Sequence, residues 1–250
     1  MSNEFQEKKL SRRSITTIAA ALILAVGMGY GLSLVGNGLS AKAGNSITVT
    51  GSAKTSAVAD NAVWTLNVSE ISQQVSVAVK KIGTSVDALS KYLVAGGLAS
   101  DAIEVGGVTT FANNEYVNGN STGRILSYQA NQSVVVRSKD VDLIKKLSNG
   151  MGALLQTGVN INNYGPQFYV SNLDKLRPQL LAEAMVDAKA RGVSITKAVG
   201  SKLGPVLAVT SGPVQVTQPD SVDTSAGGMY DTSSIPKSVS VTVSVSFKVN

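Results

Sequence analysis

The stretch VSVTVSVSFKV, residues 239–249, decides the fold class of this 250-residue chain. Valines and one phenylalanine occupy every second position, while serine, threonine and lysine occupy the positions between them. Successive side chains of a strand point to opposite faces, so this alternation predicts a strand with one buried and one wet face. A sheet built from such strands is covered by other elements on one side only.

The rest of the chain alternates between this two-residue period and helical periods. Apolar residues recur at three- and four-residue steps over 75–93, and Gly96 and Gly97 then end the predicted helix. Asp140 is placed to cap a second helix, and Asn172 precedes a third that runs to about residue 199. Further extended stretches are predicted at 46–51, 64–68, 103–117, 126–138, 160–170 and 205–216. This order predicts an α+β domain with a mostly antiparallel sheet covered on one face by helices.

A separate segment precedes this domain. Residues 15–36 (ITTIAAALILAVGMGYGLSLVG) carry no charge and follow a basic flank that contains Lys8, Lys9, Arg12 and Arg13. The predicted organisation is a basic flank at 1–13, a transmembrane helix at 14–36, a linker at 37–45 and a domain at 46–250. A basic flank stays on the cytoplasmic side, so the domain is expected beyond the membrane.

The same segment has a second interpretation as the apolar region of a signal peptide. Small residues at Ala41 and Ala43 would then allow cleavage after Ala43 and release a soluble domain. The uncharged run exceeds the usual length of such a region, which favours a retained anchor. In an anchor, Gly27 and Gly31 would allow close contact between two membrane helices, although glycine is also common in such segments without that role.

Composition excludes several kinds of chemistry. The chain has no cysteine and no histidine, so it cannot form a thiolate nucleophile or a histidine-based catalytic relay. Zinc and copper would also lose their usual ligands. The sequence therefore predicts no catalytic residues, no cofactor and no metal site. Residues 44–250 contain 17 basic and 14 acidic residues, and this mild excess does not favour nucleic acid as a partner.

Three regions are candidates for contacts. Glu183, Asp187 and Arg191 follow at four-residue steps on one helix face, where a charged site competes with an ordinary solvated face. Two polar stretches, 113–123 and 218–237, are predicted to be loops, the second of them mobile. Either they contact a partner or a second copy of the chain, or they are simply disordered. Their contact residues are predicted to be Asn113, Glu115, Tyr116, Met229 and Tyr230.

The ordered set of segments resembles the SIMPL-domain family of periplasmic immunogenic antigens and oxidative-stress-linked envelope proteins. The matching stretches are ITVTG at 47–51, ADNAVW at 59–64, YQANQSVVV at 128–136, LLAEA at 180–184 with Asp187, Ala188 and Arg191, and the closing valine-rich strand. The apparent anchor is similar to what a membrane-tethered branch of that family would have.

The resemblance implies a location and a behaviour rather than a reaction. It implies a location in the cell envelope, a link to envelope or oxidative stress, and a large homo-oligomer of the kind that some members form. Together with the apolar segment and the missing catalytic residue types, it leads us to expect a non-enzymatic inner-membrane protein with a periplasmic domain. The alternative is a periplasmic module that binds a ligand or a partner through loops 113–123 and 218–237.

Overall fold

The computed structural model describes residues 45–250. The predicted basic flank, the membrane segment and Gly27 and Gly31 lie outside the described residues. Within residues 45–250, no helix has both the length and the apolar character needed to cross a membrane.

The described chain has strands and helices in nearly the predicted order. The strands are β1 (Ser46–Val58), β2 (Asn61–Ser72), β3 (Ile103–Val105), β4 (Thr109–Val117), β5 (Asn120–Ser138), β6 (Ile161–Asn163), β7 (Gln167–Tyr169), β8 (Leu203–Ser211), β9 (Gln215–Thr217) and β10 (Pro236–Val249). The helices are α1 (Val75–Ala95), α2 (Val141–Gly150), α3 (Gly152–Leu155) and α4 (Leu173–Ala198), with a short 3-10 turn at Ser100–Ala102.

The strands of residues 45–250 form two sheets, whereas the sequence predicts one. One sheet has the order β1-β10-β8, with β9 also pairing β10. The other has the order β3-β5-β2-β6, with β4 added to β5 and β7 added to β2. Strand pairing is antiparallel in the second sheet and between β9 and β10. An alternating pattern predicts a strand but not its neighbour, because pairing partners lie far apart in sequence.

The six-stranded sheet has one dry face, as its period predicts. Along β2, Ala62, Trp64, Leu66 and Val68 are fully buried, while most residues between them are half-buried or exposed. Helix α1 contributes the other side of this core through buried residues of its apolar stripe, Ala78, Ile82, Val86, Leu89 and Leu93. Trp64 is a core residue, and its indole Nε1 donates to Asn163 Oδ1 at 2.9 Å.

Asp140 caps α2 as predicted. Its Oδ1 accepts a hydrogen bond from the Leu143 main-chain N at 2.9 Å, which satisfies one of the unpaired amides at the start of a helix. The apolar face of α2 packs into the core through its buried residues Val141, Ile144 and Leu147.

The described residues divide into two compact units. The smaller consists of 45–49, 192–208 and 246–250, and the larger of 50–191 and 209–245. In the smaller unit, Lys202 and Asn250 exchange two main-chain hydrogen bonds of 3.0 Å, and the hydroxyls of Thr48 and Ser246 lie 2.8 Å apart. The larger unit contains the core around Trp64 and the surfaces considered below.

Two of the segments quoted for the family resemblance meet inside the larger unit. A Cβ on Gly51 would lie 2.1 Å from the carbonyl oxygen of Ala184 and 2.4 Å from the amide nitrogen of Ala188. Only glycine allows β1 and α4 to approach this closely. Helix–sheet packing is therefore the physical reason for the glycine in ITVTG.

Candidate functional site

Loop 218–235 joins β9 to β10. A buried ion pair between Asp231 of the loop and Lys237 of β10 attaches it to the sheet. The side chain of Lys237, at the start of β10, is completely buried. Its Nζ donates to the main-chain oxygen of Asp231 at 2.5 Å and to Asp231 Oδ2 at 2.9 Å. A buried ammonium requires a counter-charge and hydrogen-bond acceptors, and Asp231 supplies both.

Asp231 is also the acceptor for the turn that follows it. Ser233 donates to Oδ1 through its main-chain N at 3.0 Å and its hydroxyl at 2.6 Å, and Ser234 donates to Oδ2 in the same way. Burial acts to raise the pKa of Asp231, but the hydrogen bonds from Ser233, Ser234 and Lys237 outweigh it. They hold the pKa of Asp231 well below its usual value.

The other half of the loop is held from β9. The Gln215 side chain donates through Nε2 to the Ser225 carbonyl at 2.7 Å and accepts from the Ser225 N at 3.3 Å. The Val216 N donates to the Met229 oxygen and the Asp231 N to the Val216 oxygen, both at 2.8 Å. These bonds form a short parallel bridge between Val216 and Tyr230.

The loop also reaches the six-stranded sheet. The hydroxyl of Tyr230 accepts from the Val170 N at 2.8 Å, and its ring centroid lies 5.8 Å from that of Tyr169. The Phe168 N donates to the Thr232 carbonyl at 2.7 Å, and the Ala59 N to the Ile235 carbonyl at 2.9 Å. The predicted long loop is confirmed, but its polar residues serve to attach it, which its composition did not predict.

A cleft of about 700 Å³ opens beside this loop. Its lining is mostly polar and consists of Thr217, Gln218, Asp220, Ser221, Val222, Asp223, Met229, Tyr230, Asp231, Thr232 and Ser233. Asp220 and Asp223 bring carboxylates to the lining, and Asp223 accepts from the Ser221 hydroxyl at 3.0 Å. The cleft can therefore hydrogen-bond a cationic or hydroxyl-rich group.

The second predicted loop is a β-hairpin. Asn113, Glu115 and Tyr116 lie on β4, and only Asn118 and Gly119 form the turn, both with positive φ. The prediction of a loop over 113–123 is wrong at 113–117 and at 120–123, which belong to β4 and β5, and the extended stretch predicted at 103–117 is the better description of β4. Within the polar run NGNSTG, only the two-residue Asn-Gly turn is outside a strand. We call β4 together with residues 120–127 of β5 the arm.

The arm exposes several large apolar side chains. Phe111 retains 59%, Tyr116 64% and Val117 55% of their possible exposure, and Ile125 and Leu126 retain 45% and 46%. Strand β2 pairs β5 only from residue 128 onward, so residues 113–127 of the arm extend beyond β2, whereas Phe111 lies opposite Gln129 inside the helix-covered sheet. Its two charged side chains face each other, with Arg124 Nη1 and Glu115 Oε1 3.4 Å apart.

The third candidate region holds one ion pair. Arg191 Nε lies 2.9 Å from Asp187 Oδ2, and the Ser52 N donates to the same carboxylate at 2.8 Å. The hydrogen bonds from Arg191 and Ser52 lower the pKa of Asp187. Glu183 is exposed and takes no part in this contact. Asp187 therefore joins α4 to β1 instead of forming a charged site with Glu183.

The predicted contact residues thus separate into different environments. Met229 and Tyr230 lie at the cleft, whereas Asn113, Glu115 and Tyr116 lie on the arm. Sequence reasoning missed Lys237, Asp231 and Gln215. One signal was present: serines two and three residues after an aspartate are typical of a turn organised by that carboxylate. No group of three or more acidic side chains suited to a metal occurs in residues 45–250.

Fold and surfaces together define an α+β domain whose exposed features include a polar cleft and an apolar hairpin, within a chain that lacks histidine and cysteine. The family model described as SIMPL, "Protein of unknown function (DUF541)", matches residues 47–248. The chain belongs to the SIMPL family, as the resemblance predicts. A comparison with curated proteins gives no match.

Proposed function

We propose that this chain is a membrane-anchored, non-enzymatic protein of the cell envelope whose domain assembles into a homo-oligomer. The observation that carries the proposal is the arm, which exposes large apolar side chains and whose distal part, residues 113–127, extends beyond β2. An isolated two-stranded hairpin is marginal in water, and exposed apolar patches are typical of association surfaces. Assembly would cover the arm and give it a stable environment.

The anchor is supported by the N-terminal sequence. The uncharged stretch 15–36 is long enough to span a bilayer, and the basic flank before it favours a cytoplasmic N-terminus. The domain would then lie on the periplasmic side of the inner membrane. A chain without cysteine suits a compartment where free thiols are oxidised.

The non-enzymatic part of the proposal is supported by the state of the most unusual polar groups. Lys237 is buried, and its Nζ donates to two oxygens of Asp231, so it does not present a free amine to a substrate. Asp231 in turn is held as a hydrogen-bonded carboxylate. A carboxylate with so low a pKa is not poised for proton transfer near neutral pH.

Mass photometry of the full chain, purified in detergent at micromolar concentration, tests the assembly. After correction for the detergent, we expect a species that is a multiple of the 25.8 kDa chain mass. A strict monomer across this concentration range would contradict the proposal.

The anchor is tested separately by the intact mass of the mature chain extracted from membranes. A retained anchor gives the mass that includes residues 15–36, whereas a signal peptide gives a chain that begins at Gly44. Protease added to spheroplasts should digest the domain while the basic flank stays protected. Protection of the domain would contradict a periplasmic location.

The cleft favours a second candidate function, the capture of a ligand or partner by loop 218–235. The contacts of Lys237, Gln215 and Tyr230 hold the lining in place, and a preformed site loses less entropy on binding. Replacing Asp220 and Asp223 together by asparagine should abolish capture of a cationic partner and leave the assembly mass unchanged. Unchanged capture in this double variant would exclude the cleft as the site.

A further inference from the structure

The outer edge of β4 is an unguarded strand edge. In the described part of the chain, β4 pairs only with β5, so the other side of Thr109–Val117 has no partner strand. Exposed edges in natural proteins are usually blunted by lysine, proline, bulges or charges. The β4 sequence TTFANNEYV has no lysine and no proline, and its register irregularities insert their extra residues into β5.

The single charge on β4 does not guard the edge either. Glu115 is engaged with β5, where its Oε2 accepts from the Thr122 hydroxyl at 2.9 Å and its Oε1 pairs with Arg124. The arm is therefore electrically neutral and offers no net charge to an acidic or basic partner. Its recognition has to come from main-chain pairing and from the apolar side chains.

A second copy of β4 can supply both the main-chain hydrogen bonds and the apolar side-chain contacts in a single register. Two identical antiparallel strands related by a twofold axis through the sheet place one residue opposite itself. If that residue is Asn114, Phe111 faces Val117 of the second copy and Ala112 faces Tyr116 of the second copy. Aromatic and β-branched cross-strand pairs of this kind stabilise a sheet.

The two neighbouring twofold registers are less favourable. With Asn113 on the axis, Phe111 faces Glu115 of the second copy, which sets an apolar ring against a carboxylate. With Glu115 on the axis, the two Glu115 carboxylates lie directly opposite each other, and like charges in that position destabilise a sheet. Of the three registers, only the one centred on Asn114 pairs every exposed apolar side chain of β4 with another apolar one.

We infer that the β4 edges of two copies pair antiparallel about a twofold axis at Asn114, so that two six-stranded sheets become one continuous sheet. This inference rests on the proposed self-association and names the strand and the register that mediate it. The partner is a second copy of this chain, and the contact is isologous, so further surfaces would be needed to extend a dimer into a larger assembly.

The lack of native cysteine makes a direct crosslinking test possible, because every disulfide must involve an introduced thiol. The full chain in detergent is prepared as Asn114→Cys and, as the matched control, as Asn113→Cys. In the inferred register the two Asn114 Cα atoms are about 5 Å apart, within disulfide reach. The two Asn113 Cα atoms are about 8 Å apart, which is beyond it.

Under mild oxidation, Asn114→Cys should form a disulfide-linked dimer on the order of tenfold faster than Asn113→Cys. Circular dichroism of the reduced proteins checks that both variants are folded. Equal or faster crosslinking of Asn113→Cys would overturn the inferred register. If neither variant crosslinks while mass photometry still shows an oligomer, the β4 contact is wrong and the proposed self-association stands. If the chain is monomeric, both fall.

Discussion

Loop 218–235 and the arm are both rich in small and polar residues, but they differ in whether their hydrogen-bonding groups find partners within one copy of the chain. Around the loop, Lys237 and Asp231 pair with each other, and Gln215 hydrogen-bonds the Ser225 main chain, all inside a single copy. In the arm, the side-chain charges are paired, yet the outer main-chain edge of β4 has no strand beside it within residues 45–250. The comparison places the proposed association at an open strand edge with exposed apolar groups rather than at the more polar loop.

The largest effect should come from removing the buried ammonium beside the loop. Lys237→Ala leaves the Asp231 carboxylate partly buried without its counter-charge, which should cost about 3–5 kcal/mol of unfolding free energy. Lys248→Ala is the matched control, because Lys248 lies exposed on the same strand. That control should change stability by less than about 0.5 kcal/mol. Urea denaturation measures both, and equal effects would refute the role of the ion pair.

The unfolding free energy measured as a function of pH should separate Asp231 from the exposed carboxylates of the loop. Since the folded-state pKa of Asp231 lies below the unfolded value, its contribution is present above about pH 4 and is lost as the pH falls through the folded value. Asp231→Asn should remove this part of the acid dependence. Asp220→Asn, an exposed position in the lining of the cleft, should retain it. Identical acid slopes for the two variants would contradict the assignment.

The two hydrogen bonds between the Gln215 side chain and the Ser225 main chain should contribute less to the unfolding free energy than the ion pair does. Gln215→Ala removes two hydrogen bonds to the Ser225 main chain and should cost about 1–2 kcal/mol. Limited proteolysis should then cut near Ser225 faster than in the wild type, whereas Asp220→Asn, at an exposed position in the same loop, should leave the cutting rate unchanged. An unaltered cutting rate in Gln215→Ala would show that the loop is held elsewhere.

Changes in the arm should have the smallest effect on folding, although we expect them to have the largest effect on the proposed assembly. Phe111 is mostly exposed, so Phe111→Ser should change the unfolding free energy of a single copy by about 0.5 kcal/mol or less. The same variant should reduce the assembled fraction seen by mass photometry. Val222→Ser is the control, because Val222 is 92% exposed but lies on the cleft. Equal assembly of both variants would contradict the role of the arm.

Local sequence patterns predicted most helices and strands correctly, because the formation of a helix or strand depends largely on residues that are neighbours in the sequence. The two-residue period over 239–249, the stripe of α1 and the Asp140 cap are all present in the structure. The loop predicted at 113–123 failed for a local reason too, since Asn118-Gly119 is a hairpin signal that the surrounding polar residues obscured. The family was also recognisable from the ordered segments.

Long-range contacts could not be predicted in this way. No sequence period shows that Gly51 must leave room for Ala184 and Ala188, which lie far along the chain. The Asp231–Lys237 pair is local in sequence, but no period shows that Lys237 is buried beside that carboxylate. The division of the strands into two sheets was missed for the same reason. Each of these features depends on residues that meet only after the chain has folded.

The sequence by itself determined the fold class, most elements, the SIMPL family and the exclusion of histidine and cysteine chemistry, because periodicity and composition act within a short window. Only the tertiary structure decided which polar groups are already satisfied and which strand edges, that of β4 among them, are left open. The physical reason is that hydrogen bonding and burial are properties of contacts, and those contacts join residues that are distant along the chain.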